Sequence, residues 1–246
     1  MSNIESKEQL IELYPLGDSA IVVRFGKVIN PETNQKVKNL SNYLDGHPFP
    51  GMVEYVPSFT TVTVYYDPLQ LHLAATRLTP YESVRSKLEQ IISSLGDEVN
   101  LTPRRVEIPV CYGGEFGPDL AYVGEHNGMT EEEIIEIHSS SEYLVYVIGF
   151  APGFPYLGGM DERIATPRRS TPRVAIPAGT VGIGGMQTGI YPIETPGGWQ
   201  LIGRTPLALF RPNDRTPSLL QAGDFITFRP ISREAYESWE EKNPWG

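Results

Sequence analysis

Residues 167–173 (PRRSTPR) hold three guanidinium groups on a short loop bounded by proline. Arginine forks match carboxylates and phosphates in two-point contacts. Proline removes loop freedom, so less ordering is needed when an anion binds. Any one of these arginines could equally pair with one of the chain's own 30 acids. The three together, beside so many glycines, read as an anion site. Glycines 179–189 offer backbone N–H groups that could approach an anion closely, though tight β-turns use glycine in the same way. Phe150, Phe154, Pro155, Tyr156 and Trp199 could form an apolar wall, with core packing the expected use of Phe150. Tyr156, Tyr191, Asp161, Glu162, Glu194, Asp214 and Asp224 are the local groups able to carry a proton.

Other chemistries are excluded by what this stretch lacks. His47, His72, His126, His138 and Cys111 all precede it, so it holds no Ser-His-Asp or Cys-His pair and no His/Cys metal cluster. No lysine lies between Lys87 and Lys242, which removes a Schiff-base lysine and a P-loop from this region. Residues 182–187 (GIGGMQ) begin like a dinucleotide fingerprint but have Gln187 where the third glycine belongs.

The elements that must position these residues fall into two patterns. Ala20–Phe25 reads as a strand, and Asn30-Pro31 caps a helix whose apolar face is Val37, Leu40 and Leu44. Residues 52–56 and 60–66 read as two strands. Thr79-Pro80-Tyr81-Glu82 is a capping box that opens a helix stopped by Gly96. Residues 104–112 form another strand. The order β-α-β-β-α-β predicts a ferredoxin-like α/β domain over residues 1–112.

Residues 113–246 differ. Gly117-Pro118 opens a short helix ending near Gly128, and Thr130–Glu133 is a second capping box whose three acids suit the helix dipole. His138 falls in that helix's last turn, and residues 143–150 form a strand. Residues 149–206 then hold 12 of the 24 glycines and 8 of the 22 prolines. Short apolar segments between them, with 207–210 and 225–228 after them, predict an all-β barrel or sandwich. A short helix is expected within 233–246. The fold class is α+β.

The formal net charge of −10 argues against nucleic acid and anionic membranes as partners. One cysteine allows no internal disulfide. Residues 1–11 lack the apolar run of a signal peptide, and the apolar stretch near 143–150 is too short to span a bilayer. A cytoplasmic protein is expected.

Three runs sharpen the reading: 148–158 (IGFAPGFPYLG), 167–181 (PRRSTPRVAIPAGTV) and 187–205 (QTGIYPIETPGGWQLIGRT). Together with 14–20 (YPLGDSA) and 49–57 (FPGMVEYVP), they resemble the allophanate hydrolase subunit 1 family over nearly the whole chain. The resemblance implies a small α/β domain followed by a cyclophilin-like β-barrel. It implies one component of an ATP-hydrolysing 5-oxoprolinase, inactive alone, that helps open 5-oxo-L-proline to L-glutamate. Phosphorylating the lactam oxygen would open the ring carbon to water, with cations around the phosphoryl oxygens.

The partners so implied are a homologous barrel subunit (the C-type component of 5-oxoprolinase, KipA-like) and a third subunit of the A type. ATP would be a co-substrate held in a site shared with the partner, with no metal-ligand cluster in this chain. The candidate catalytic residues are Arg168, Arg173, Tyr191 and Arg204. The candidate binding residues are Pro155, Tyr156, Gly179, Gln187, Thr195 and Trp199. The same resemblance carries two alternatives. One is a KipI-like inhibitor whose partner is a sporulation sensor histidine kinase. The other is a component of urea or allophanate metabolism, disfavoured because no Met-Lys-Met biotin site occurs.

Overall fold

The computed structural model describes residues 11–72, 78–95 and 104–239. The chain divides into two compact units, Met1–Thr102 and Pro103–Gly246.

In the first unit, β1 (Glu12–Pro15) and β2 (Ala20–Arg24) form a hairpin, its turn containing Gly17 at φ 66°. Asn30 accepts the Thr33 N–H at 2.8 Å and so caps α1 (Pro31–Gly46), with Pro31 supplying a fixed φ at its start. Strands β3 (Met52–Pro57) and β4 (Thr61–Tyr66) follow, then a short α2 (Pro68–His72) and α3 (Pro80–Ser94). The Thr79/Glu82 capping box at the start of α3 is fully formed. Gly96, expected to stop that helix, lies outside the described residues. The sheet is antiparallel in the order β1-β2-β4-β3. Ile21, Val23, Val62 and Val64 alternate onto one face and bury against Val37, Leu40, Leu44, Val84, Leu88 and Ile91 of the two long helices. Each such aliphatic contributes about 1.5–3 kcal/mol by leaving water.

The fourth strand of this sheet is not the expected one. Residues 104–112 do not close the N-terminal domain. Instead β5 (Arg105–Tyr112) pairs in the second unit, parallel with β13 (Phe225–Pro230) and antiparallel with β12 (Gln200–Arg204). Residues 108–111 of β5 are buried in succession. Such a strand is covered on both faces and belongs in a sheet interior. The short, half-exposed β1 suits an edge and takes the vacant place. The division therefore falls before β5 rather than after residue 112.

The second unit continues with α4 (Leu120–Asn127), α5 (Glu131–Ser140), β6 (Glu142–Ile148) and β7 (Pro155–Gly158). A 3-10 turn at Glu162–Ile164 leads to β8 (Arg173–Ile176), β9 (Thr180–Gly184), β10 (Gln187–Ile190) and β11 (Thr195–Gly197). After β12 and β13 comes α6 (Arg233–Glu237). Residues 207–210, expected as a strand, make a single bridge, Phe210 to Ser218.

Seven strands form one mixed sheet in the order β10-β9-β12-β5-β13-β6-β7, and β8 and β11 pair separately. The two edge strands meet, since a Cβ on Gly189 of β10 would lie 3.3 Å from the Pro155 carbonyl of β7. The sheet is thus a nearly closed barrel. Its interior holds Ile108, Val110, Ile183, Ile202, Ile226 and Phe228, and α4 and α5 add Leu120, Val123 and Ile134.

Candidate functional site

The site grows from the turn between β6 and β7. Gly149 donates to Phe154 O at 3.0 Å, and Phe154 donates to Ala151 O at 3.0 Å. Inside this tight turn Phe150 adopts φ 67°, a conformation that costs a β-carbon residue about 1 kcal/mol or more. The turn sends Phe150 outward, 67% exposed, and Phe154 inward, 2% exposed. The expected core role for Phe150 is thus wrong, and Phe154 fills it.

Phe154 packs edge-to-face on its neighbours. Ring centroids lie 5.7 Å from Tyr191, 5.8 Å from Trp199, 5.2 Å from Tyr156 and 5.4 Å from Phe150. Phe154, Tyr191, Trp199, Ile176 and Leu201 make a small second core, with Tyr156 packed against it. Two strand glycines make room for the indole. A Cβ on Gly184 would sit 2.5 Å from Trp199 Nε1, and one on Gly189 would sit 3.0 Å from the same ring. Above this floor opens a pocket of about 440 Å3, bounded by Phe150, Tyr156, Arg168, Pro172 and residues 195–198.

The arginine loop lies along one side. Arg169 N–H donates to Gly198 O at 2.7 Å and Gln200 Nε2 to Pro167 O at 2.8 Å, which pins residues 167–169 to the approach to β12. Asp119 sits at the N-terminal cap position of α4, yet its side chain makes no capping bond there. Instead its Oδ2 accepts the Leu201 N–H at 2.7 Å, and its Oδ1 accepts Arg173 at 2.8 Å and Arg169 at 3.3 Å. The carboxylate is buried, so these charge-assisted bonds replace the water it has lost. Arg173 Nη1 is buried without a partner.

Two of the loop's arginines therefore answer an internal acid. The third, Arg168, is exposed and stands over the Trp199 ring at 5.8 Å. It borders both the aromatic pocket and a second, polar cleft of about 430 Å3 lined by Asp119, Tyr122, Arg169, Ser170 and Gln200. Burial pushes the Tyr191 phenol up from its usual pKa, against the opposing pull of the Trp199 N–H it accepts and the charges of Arg168 and Arg173.

Arg168, Tyr156, Tyr191, Thr195 and Trp199 thus share one pocket, with Pro155 beside it in β7 and Arg173 held by Asp119. Arg204, Gly179 and Gln187 do not line it. Arg204 ends β12 with its guanidinium 5.8 Å from the Phe116 ring and its Nε buried without a partner. Gly179, at φ 80°, donates to Tyr191 O at 2.7 Å and accepts from Thr205 at 2.9 Å, a turn role. Gln187 pairs with Gly184 where β10 begins. Asp161, Asp214 and Asp224 pair with Arg163, Arg211 and Arg104 and lie outside the pocket, as do Glu162 and Glu194. Among the described residues no three His, Cys, Asp or Glu side chains group to hold a metal ion, and no helix is long and apolar enough to cross a membrane.

A family model described as carboxyltransferase domain, subdomain C and D, matches residues 11–220. The chain belongs to that family. Within it, the chain is 51% identical over 234 residues to the B subunit of Bacillus subtilis 5-oxoprolinase, covering 94% of this chain and 98% of the relative. It is 42% identical to the B subunit of Escherichia coli O157:H7 5-oxoprolinase, covering 90% and 97%. The crystal structure of TTHA0988 matches with a TM-score of 0.74 at 35% identity, covering 87% of this chain and 40% of that one. The resemblance carried by the three C-terminal runs is thereby met by relatives along almost the full length.

Proposed function

We propose that this chain is the B subunit of a cytoplasmic 5-oxoprolinase, acting in the conversion of 5-oxo-L-proline to L-glutamate with hydrolysis of ATP. The observation that carries this reading is the 51% identity over 94% of the chain to a protein of that name. The pocket supports it, because rigid aromatic walls beside one free guanidinium suit a small anionic substrate.

The donor set does not fit ATP as a whole. Arg169 and Arg173 are turned to Asp119, which leaves Arg168 as the pocket's available cation. A triphosphate carries more charge than one guanidinium answers. We therefore assign the phosphates to a site completed by partner subunits, a homologous barrel subunit of the C type and a third subunit of the A type. The match to TTHA0988, in which this fold occupies 40% of a longer chain, favours a neighbour that packs beside it. The second unit's nearly closed sheet is read as a cyclophilin-like barrel, a fold that does not by itself imply isomerase activity.

Co-expression with the two partner subunits tests the proposal. Glutamate release from 5-oxoproline should require this chain, both partners and ATP. A full complex that releases no glutamate, or an isolated chain that does so with ATP, overturns it.

A further inference from the structure

We infer that the aromatic pocket beside Arg168 seats the lactam substrate itself. It takes a small flat ring bearing one carboxylate, with the carboxylate on Arg168 and the ring against Phe154 and Trp199. This rests on the reading of the chain as part of a 5-oxoprolinase and assigns the substrate, not the nucleotide, to this face.

Charge decides first. Arg168 makes no ion pair with a carboxylate among the described residues, whereas Arg169 and Arg173 share the Asp119 carboxylate. Arg168 is the arginine that lines the pocket, so its guanidinium is the one placed to take the carboxylate of a small anion. The guanidinium stands over the Trp199 indole. Stacking of this kind holds the fork in place and leaves its N–H edge free for two-point contact with a carboxylate.

Shape decides second. Phe154 and Trp199 are buried and locked edge-to-face, with interplanar angles of 79° to one another and 73° between Phe154 and Tyr191. Such walls present fixed apolar faces to a flat ring without rearranging. The polar groups suit a cyclic amide. The Tyr191 hydroxyl borders the pocket and can donate to a ring carbonyl. Thr195, at the rim, has only a 3.4 Å contact to Pro196 O and can accept a ring N–H.

The test is steady-state kinetics of the reconstituted complex carrying Arg168→Gln or Arg168→Lys, with binding of 5-oxoproline to the full chain followed by calorimetry. Arg168 is exposed, so neither change threatens folding. The inference expects the KM for 5-oxoproline to rise about tenfold or more in R168Q, with partial recovery in R168K and the KM for ATP unchanged. 2-Pyrrolidinone, which lacks the carboxylate, should inhibit wild type and R168Q alike. A raised KM for ATP with that for 5-oxoproline intact would give Arg168 to phosphate and overturn the inference, leaving the functional reading in place. No change in either KM also overturns it. If the wild-type complex releases no glutamate, the functional reading falls alone, and calorimetry then decides the pocket: binding weakened by R168Q supports it, and no binding overturns it.

Discussion

Asp119 Oδ1 accepts Arg173 Nη2 at 2.8 Å across 54 residues of chain, tying the start of α4 to the arginine loop. The same carboxylate satisfies the Leu201 N–H. Asp119→Ala removes both bonds and leaves the part-buried Arg173 without its counter-charge. The expected cost is about 3 kcal/mol, or a fall in Tm of roughly 6–12 °C. Arg169 adds little to this, because its side chain is 39% exposed and solvent screens it. Asp119→Asn keeps an acceptor for Leu201 and should lose about half as much. Thermal unfolding of the isolated chain checks both, and an unchanged Tm in D119A would remove Asp119 as the anchor of the loop.

Gly184 and Gly185 sit on one hairpin and separate two roles of glycine. A methyl on Gly184 meets the Trp199 indole at 2.5 Å, and the locked ring cluster cannot yield cheaply. Gly184→Ala should cost about 1–3 kcal/mol and push the indole into the pocket, abolishing ligand binding. A methyl on Gly185 meets nothing within 4 Å, but its φ of 67° strains any β-carbon. Gly185→Ala should therefore cost about 1 kcal/mol and leave the pocket intact. Urea midpoints and calorimetry on the two variants give the comparison, and equal binding in both would contradict the role given to Gly184.

Much of this was legible in the sequence, for stated physical reasons. Capping chemistry is local, so Asn30, Thr79 and Thr130 announced their helices and all three caps are formed. Lysine's absence pointed to residues 167–173, and the loop does border the pocket. What failed is what local pattern does not encode. Strand β5 has the same apolar look in either sheet, and only its burial on both faces assigns it to the second unit. Asp119 drew no reading of its own, because a long-range ion pair leaves no mark on nearby spacing. Gly184 and Gly189 fell in the 179–189 run read as backbone for an anion or as tight turns, but they are strand residues kept small for Trp199.

Tyr191 packs against Trp199 with ring centroids 6.3 Å apart and borders the pocket. Tyr191→Phe keeps that packing and should cost about 1 kcal/mol or less. Burial raises the phenol's pKa, so the group stays protonated through pH 9 and acts as a donor. The pH profile of the complex between 7 and 9 should then have the same shape in wild type and Y191F. An alkaline limb present in wild type and lost in the variant would show that Tyr191 ionises in the working range.

His138 gives the chain a built-in acid sensitivity. It is fully buried on α5. Thr188 Oγ1 donates to Gly182 O at 3.0 Å, so it accepts from His138 Nε2 at 2.9 Å, and Nδ1 is left to accept from Tyr112 Oη at 2.8 Å. The neighbouring Tyr112 and Tyr143 phenols are themselves held protonated by burial, so neither supplies an anion to reward a charged imidazole. Burial lowers the His138 pKa to about 3. The folded value lies below the unfolded one, so the unfolded chain binds the extra proton. The stability due to neutral His138 is complete above about pH 6.5 and drains away as pH falls toward 3. The expected loss between pH 7 and pH 5 is about 2 kcal/mol. His138→Gln should be less stable at pH 7 but should lack this part of the slope. Urea unfolding of both proteins at the two pH values measures it, and parallel slopes would show that His138 does not set the acid limit.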